Sequence, residues 1–253
     1  CSSDLNYLMF ILFREGNLMK KSLIAVSISF TLLNMPGVAQ AVGDIDAGQV
    51  KSGSCASCHG ADGNSMMPLF PKLAEQNEGY LVKQLEAFKD GSRSDTTMNS
   101  MAAGLSEQDM QDIAAFYAAQ AVSENPLPQV NPDDLDDIDD DNSLSESAKT
   151  AAKQALQDRQ KALMTMGYDV YRNGNLDNEI SACIACHGPN GEGNEPAAFP
   201  ALKGQHAGYL AKTLTDFKTD KRSNNPDNMM HMIAKKMNAE EITAISYYVS
   251  AIK

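Results

Sequence analysis

The chain has 253 residues, 43% hydrophobic and 21% charged, with a mean hydropathy of −0.34. That length suits one or two domains, and the composition is that of a soluble protein rather than a membrane-embedded one. A formal net charge of −12 excludes a general nucleic-acid-binding surface.

At the N-terminus, Met19-Lys20-Lys21 reads as a start with a basic segment. Ser22 to Leu33 is a short apolar run, and Ala39-Gln40-Ala41 is a small-residue cleavage site. The run is too short for a membrane span, which needs about 20 residues. We therefore expect a signal peptide over 19–41, upstream read-through over 1–18, and a mature, exported chain beginning near Val42. The expected location is the periplasm.

Residues 42–122 form a first predicted domain with 11 acids and 5 bases, net −6. It opens with Cys55-Ala56-Ser57-Cys58-His59. Helical spacing follows over Tyr80 to Lys89 and over Ser106 to Val122, the latter with Ser106 as N-cap and Asp109 in the first turn. Residues 123–147 carry 9 acids and no base. Their prolines and like charges predict an extended or mobile acidic linker. The spacing then predicts one long helix from Ala148 to about Arg172. It opens a second domain, residues 148–253, with 11 acids and 13 bases, net +2. Further helices are predicted over Tyr209 to Phe217 and Ala239 to Ile252. No stretch has sustained strand alternation, so the predicted fold is all-α.

The two domains repeat each other. Cys55-x-x-Cys58-His59-Gly60 recurs as Cys183-x-x-Cys186-His187-Gly188 and Phe70-Pro71 as Phe199-Pro200. Gly79-Tyr80-Leu81 recurs as Gly208-Tyr209-Leu210 and Arg93-Ser94 as Arg222-Ser223. Each copy reads as helix, Cys-x-x-Cys-His motif, irregular loop, helix, Met-bearing loop, helix.

Cys-x-x-Cys-His is the pattern of c-type haem attachment. Two intervening residues place both sulfurs to form thioethers with the vinyl groups of one haem, and the next residue aims its imidazole at the iron. We expect two covalently bound haem c groups, on Cys55 and Cys58 and on Cys183 and Cys186, with His59 and His187 on iron. A soft thioether is the expected second axial ligand. Met98 and Met101 are candidates in the first repeat, and Met229, Met230 and Met232 in the second. Met98 stands as far before Leu105 as Met230 does before Met237, so the repeat favours Met98 and Met230. Met66, Met67, Met110, Met164 and Met166 read as core packing. His231, beside Met230, is a lesser iron-ligand candidate, and His206 reads as a surface or capping residue.

On these motifs, together with Asp62-Gly63-Asn64 and Phe-Pro-x-Leu, the sequence resembles the cytochrome c4 family over roughly 43–122 and 166–253. The resemblance implies two tandem class I cytochrome c domains, each wrapped around one haem. It implies that the Pro71 and Pro200 carbonyls orient the proximal imidazoles, and that Gly48 and Gly167 let the first and last helices cross closely. It also implies a monomeric electron carrier between a quinol–cytochrome c reductase-type donor and a terminal oxidase, in transient contact with membrane complexes. A dihaem enzyme such as a peroxidase, with one open haem site, is the alternative. Two features depart from the family pattern: the acidic segment and long helix exceed a short connector, and the first Met-bearing loop is short.

Overall fold

The computed structural model describes residues 43–253, all of them within one compact unit. The expected signal peptide, its cleavage site and the upstream segment lie outside the described residues. The first domain comprises α1 (Ile45–Lys51), α2 (Ala56–His59), α3 (Glu78–Asp90), α4 (Thr96–Ala102) and α5 (Glu107–Ala118). Next come α6 (Pro132–Asp140) and the long α7 (Glu146–Asn173). The second domain continues with α8 (Ile184–His187), α9 (Ala207–Lys218), α10 (Met229–Ala234) and α11 (Ala239–Ser250). Among the described residues, extended pairing is limited to two isolated bridges, Asn175 with Ile180 and Asn194 with Phe199.

Each domain is held by a crossing of its first and last helices. A Cβ on Gly48 would sit 1.9 Å from the Asp112 carbonyl oxygen of α5, and one on Gly167 would sit 2.1 Å from that of Ala244 in α11. Both contacts are far inside van der Waals range, so only glycine allows the backbones to meet. The last helices start alike. Ser106 with Asp109, and Asn238 with Glu241, form reciprocal capping boxes that satisfy two orphan donors at each helix start. Around each crossing lies a small apolar core. In the first domain it contains Leu81, Ile113, Phe116 and Tyr117 packed on Cys55; in the second, Val170, Tyr171, Ile242 and Val249 packed on Cys183.

Several expectations need correction. The acidic segment is extended only up to α6. There Asn131 caps the helix, Pro132 supplies the preset first position, and Asp133 and Asp134 face the positive end of the dipole. Lys149 and Lys153 of α7 reach back to Asp139 and offset the like-charge repulsion. Both Met-bearing loops are short helices, α4 and α10; Asp95 caps α4 through the Thr97 and Met98 amides. The last helix of the first domain stops at Ala118 rather than running to Val122, whose amide turns to Glu75 Oε2. Met66 and Met67 are not core residues: they are 93% and 56% exposed, whereas Met110 is buried as expected.

The two domains pack against one another despite the long connector. Asn125, at the start of the acidic segment, donates to the carbonyls of Gly204, Gln205 and Ser250. Lys72 Nζ holds Ser123 O and Asn125 Oδ1. Lys203 pairs with Glu75 across the seam. His206 occupies the N-cap position of α9, but its side chain caps nothing there. Its Nε2 instead reaches Ser65 O of the first domain at 2.8 Å.

Candidate functional site

The sequence around each cysteine pair folds into one short turn of helix, α2 or α8, closed by a glycine at positive φ (Gly60 or Gly188). That turn puts Cys55, Cys58 and His59, and likewise Cys183, Cys186 and His187, on the wall of one continuous cavity of about 1360 Å³. The cavity runs across both domains. A pocket for one small ligand is about 300–1,000 Å³, so this volume suits two large guests.

Both imidazoles are buried and held alike. His59 Nδ1 donates to Pro71 O at 2.9 Å, and His187 Nδ1 donates to Pro200 O at 2.9 Å. With Nδ1 engaged, Nε2 is the nitrogen left to the cavity. Burial pushes both histidines toward the neutral form, which the proline carbonyls only partly oppose. Neutral imidazole is the metal-binding form. Cys55 and Cys183 are not activated thiols. Burial raises the Cys55 thiol and pushes that of Cys183 up to about 11. A dithiol oxidoreductase needs a depressed thiol pKa, so the pairs do not suit that chemistry.

From α4 and α10, methionines reach the same cavity. Met98 and Met101 line it in the first domain, and Met229, Met230 and Met232 in the second. Met98 is half-buried and Met101 38% exposed; Met229 and Met230 are half-buried and Met232 53% exposed. His231 is not among the residues lining the cavity; its Nδ1 lies on Phe217 O and near Asp220.

Sequence reasoning missed the polar floor of the cavity, although the repeated arginines and tyrosines were in view. Arg93 donates to Gln84 Oε1 and to Tyr209 of the other domain, and Arg222 donates to Gln84 Oε1 and Tyr80. Each guanidinium also stacks on its own domain's phenylalanine, Phe88 at 4.5 Å or Phe217 at 4.6 Å. Burial raises the Tyr209 phenol, but Arg93 and Arg222 outweigh it and bring the pKa down to about 8. None of these hydrogen-bond partners is a carboxylate, so the two guanidinium charges reach the cavity without an acid bonded to them there.

Duplicated helical domains that present Cys-x-x-Cys-His to a cavity also lined by Met-bearing helices define a two-domain c-type cytochrome. The Cytochrome c family model matches residues 46–120 and 167–253. Cytochrome c4 of Azotobacter vinelandii is 38% identical over 244 residues, covering 92% of this chain and 100% of the relative. Cytochrome c4 of Pseudomonas aeruginosa is 39% identical over 230 residues, covering 90% of this chain and 98% of the relative. The crystal structure of reduced recombinant cytochrome c4 from Pseudomonas stutzeri superposes with a TM-score of 0.68 at 38% identity, covering 84% of this chain and 100% of that one. The chain belongs to the cytochrome c4 family. It is a dihaem electron-transfer cytochrome, and its two Cys-x-x-Cys-His pairs mark two covalently bound haem c groups.

Proposed function

We propose that the protein is a periplasmic, monomeric carrier of single electrons between a quinol-oxidising complex and a terminal oxidase, with no substrate chemistry of its own. Haem c supplies a one-electron iron couple when bound. Cys55 and Cys58, and Cys183 and Cys186, anchor the two groups as thioethers. His59 and His187 bind iron through Nε2, oriented by Pro71 and Pro200. Met98 and Met230 would supply each iron's second protein ligand and close both sites. Arg93 and Arg222 match their charge to the haem carboxylates.

One observation carries this reading: both halves of the cavity, not one, are lined by methionines as well as by the histidine. Two features support Met98 and Met230 among the five. They are half-buried, as Met229 also is, whereas Met101 and Met232 are exposed. Each has its amide fixed by a preceding Asx side chain, Met98 N by Asp95 Oδ1 at 3.0 Å and Met230 N by Asn225 Oδ1 at 2.9 Å. The test is the weak methionine-to-iron absorption band of the oxidised protein. Met98→Ala and Met230→Ala should each remove one haem's share of it and open that haem to carbon monoxide. Met101→Ala, Met229→Ala and Met232→Ala should leave it intact, and the reverse result would transfer the assignment. A parent protein with one high-spin, cyanide-binding haem would replace the carrier reading by a dihaem peroxidase.

A further inference from the structure

We propose that each haem's reduction potential is tuned from the other domain, by Gln205 for the haem on His59 and by Gln76 for the haem on His187. The proposal rests on those histidines being iron ligands.

Gln76 and Gln205 occupy corresponding positions, following Phe70-Pro71-Lys72-Leu73 and Phe199-Pro200-Ala201-Leu202. Across the seam they make reciprocal pairs of hydrogen bonds. Gln205 Oε1 accepts from Lys72 N at 2.8 Å, while Gln205 Nε2 donates to Lys72 O at 2.9 Å. Gln76 Oε1 accepts from Ala201 N at 2.8 Å, while Gln76 Nε2 donates to Ala201 O at 2.9 Å. The amide orientation is forced, since a flip would set donor against donor.

The consequence lies in which peptide is held. Pro71 C=O and Lys72 N–H belong to one planar amide. Its oxygen accepts from His59, and its N–H donates to Gln205 of the other domain. Pro200 C=O and Ala201 N–H form the equivalent amide between His187 and Gln76. Each proximal imidazole is therefore one end of a three-group chain that crosses the domain seam. A hydrogen bond accepted from the amide N–H polarises that amide and strengthens its oxygen as an acceptor. A stronger acceptor draws the Nδ1 proton and makes Nε2 the better donor. The better donor favours ferric iron and lowers the potential. Water does not short-circuit the chain: His59, His187 and Gln205 are each 6% exposed and Gln76 7%. Both glutamines are positioning residues that act through a histidine they do not touch.

The test is spectroelectrochemistry of the holoprotein, with the two haems resolved by their paramagnetically shifted methyl signals. Gln205→Leu should raise the potential of the haem on His59 and leave the other unchanged. Gln76→Leu should do the reverse. The expected size is on the order of threefold in the oxidised-to-reduced ratio at fixed potential, about 28 mV for one electron. The His59 Nδ1–H resonance should report a weaker bond in Gln205→Leu, and that of His187 in Gln76→Leu. Glu75→Ala, which removes a seam ion pair without touching either amide, should leave both potentials in place. A fall in both potentials would mean only that solvent had entered an opened seam, and would overturn the proposal. So would a shift at the haem of the substituted domain, or no shift. The parent spectrum is read first: His/Met low-spin ligation there, with no crossed shifts in the variants, refutes the glutamine role alone.

Discussion

At the residue scale, Asp112 shows how a single side chain ties two elements. It is buried in α5 and accepts from Asp44 N at 2.8 Å, Lys51 Nζ at 2.5 Å and Gln108 Nε2 at 2.7 Å. The bond from the Asp44 amide, then those from Lys51 and Gln108, hold its carboxyl at about 2, below its ordinary 3.8. A group depressed in the folded state contributes stability that is complete above the unfolded pKa and is lost as pH falls through the folded one. Melting of the first domain should therefore become steeply pH-dependent between 3.8 and about 2. Asp112→Asn should flatten that dependence, and an unchanged slope would show that other carboxylates govern acid unfolding. This partnership was not legible in the sequence, because Asp112 and Asp44 lie far apart along the chain. The capping box of Ser106 and Asp109 was legible, because its partners are three residues apart.

At the scale of elements, the glycine crossings decide whether each domain can close. Gly48→Ala and Gly167→Ala would each drive a Cβ into backbone that cannot rotate away, as a flexible side chain could. Overpacking of this kind costs about 3 kcal/mol at its upper range. We expect each substitution to lower stability by about that amount in equilibrium unfolding of the holoprotein. A variant as stable as its parent would mean that the helices part without loss. The long helices were readable from apolar spacing, which is a local signal. α4, α6 and α10 were not. They are short; α4 and α6 rely on the Asp95 and Asn131 caps, and the aspartate-dense α6 also on lysines brought in by tertiary packing.

At the scale of the whole molecule, charge is distributed unevenly around the shared cavity. In the first domain its lining sets Glu86, Asp90 and Asp95 against Lys72, Lys83 and Arg93; in the second it sets Glu179 against Lys212, Arg222 and Lys236. The first domain as a whole carries a net −6 and the second +2, and opposite net charges steer oppositely charged partners. A small cationic redox reagent should exchange electrons mainly with the first haem, and an anionic one with the second. Both rates should fall as salt screens the attraction. Reversing charges at Glu86 and Asp90 should abolish the cationic preference; identical salt slopes for both reagents at both haems would refute the steering.

What is covalent or local was legible in the sequence: two Cys-x-x-Cys-His attachments, a duplicated all-α fold and the Ser106 cap. These follow from bonded geometry and from spacing within a few turns of chain. Only the tertiary structure decided what meets across the seam. Gln205 against Lys72, Gln76 against Ala201, and Arg93 and Arg222 against the tyrosines of the opposite domain are separated by more than a hundred residues. No local propensity encodes such contacts. They exist because two similar domains bury matching faces, and a buried amide or guanidinium must find its partner on whatever surface packing brings to it.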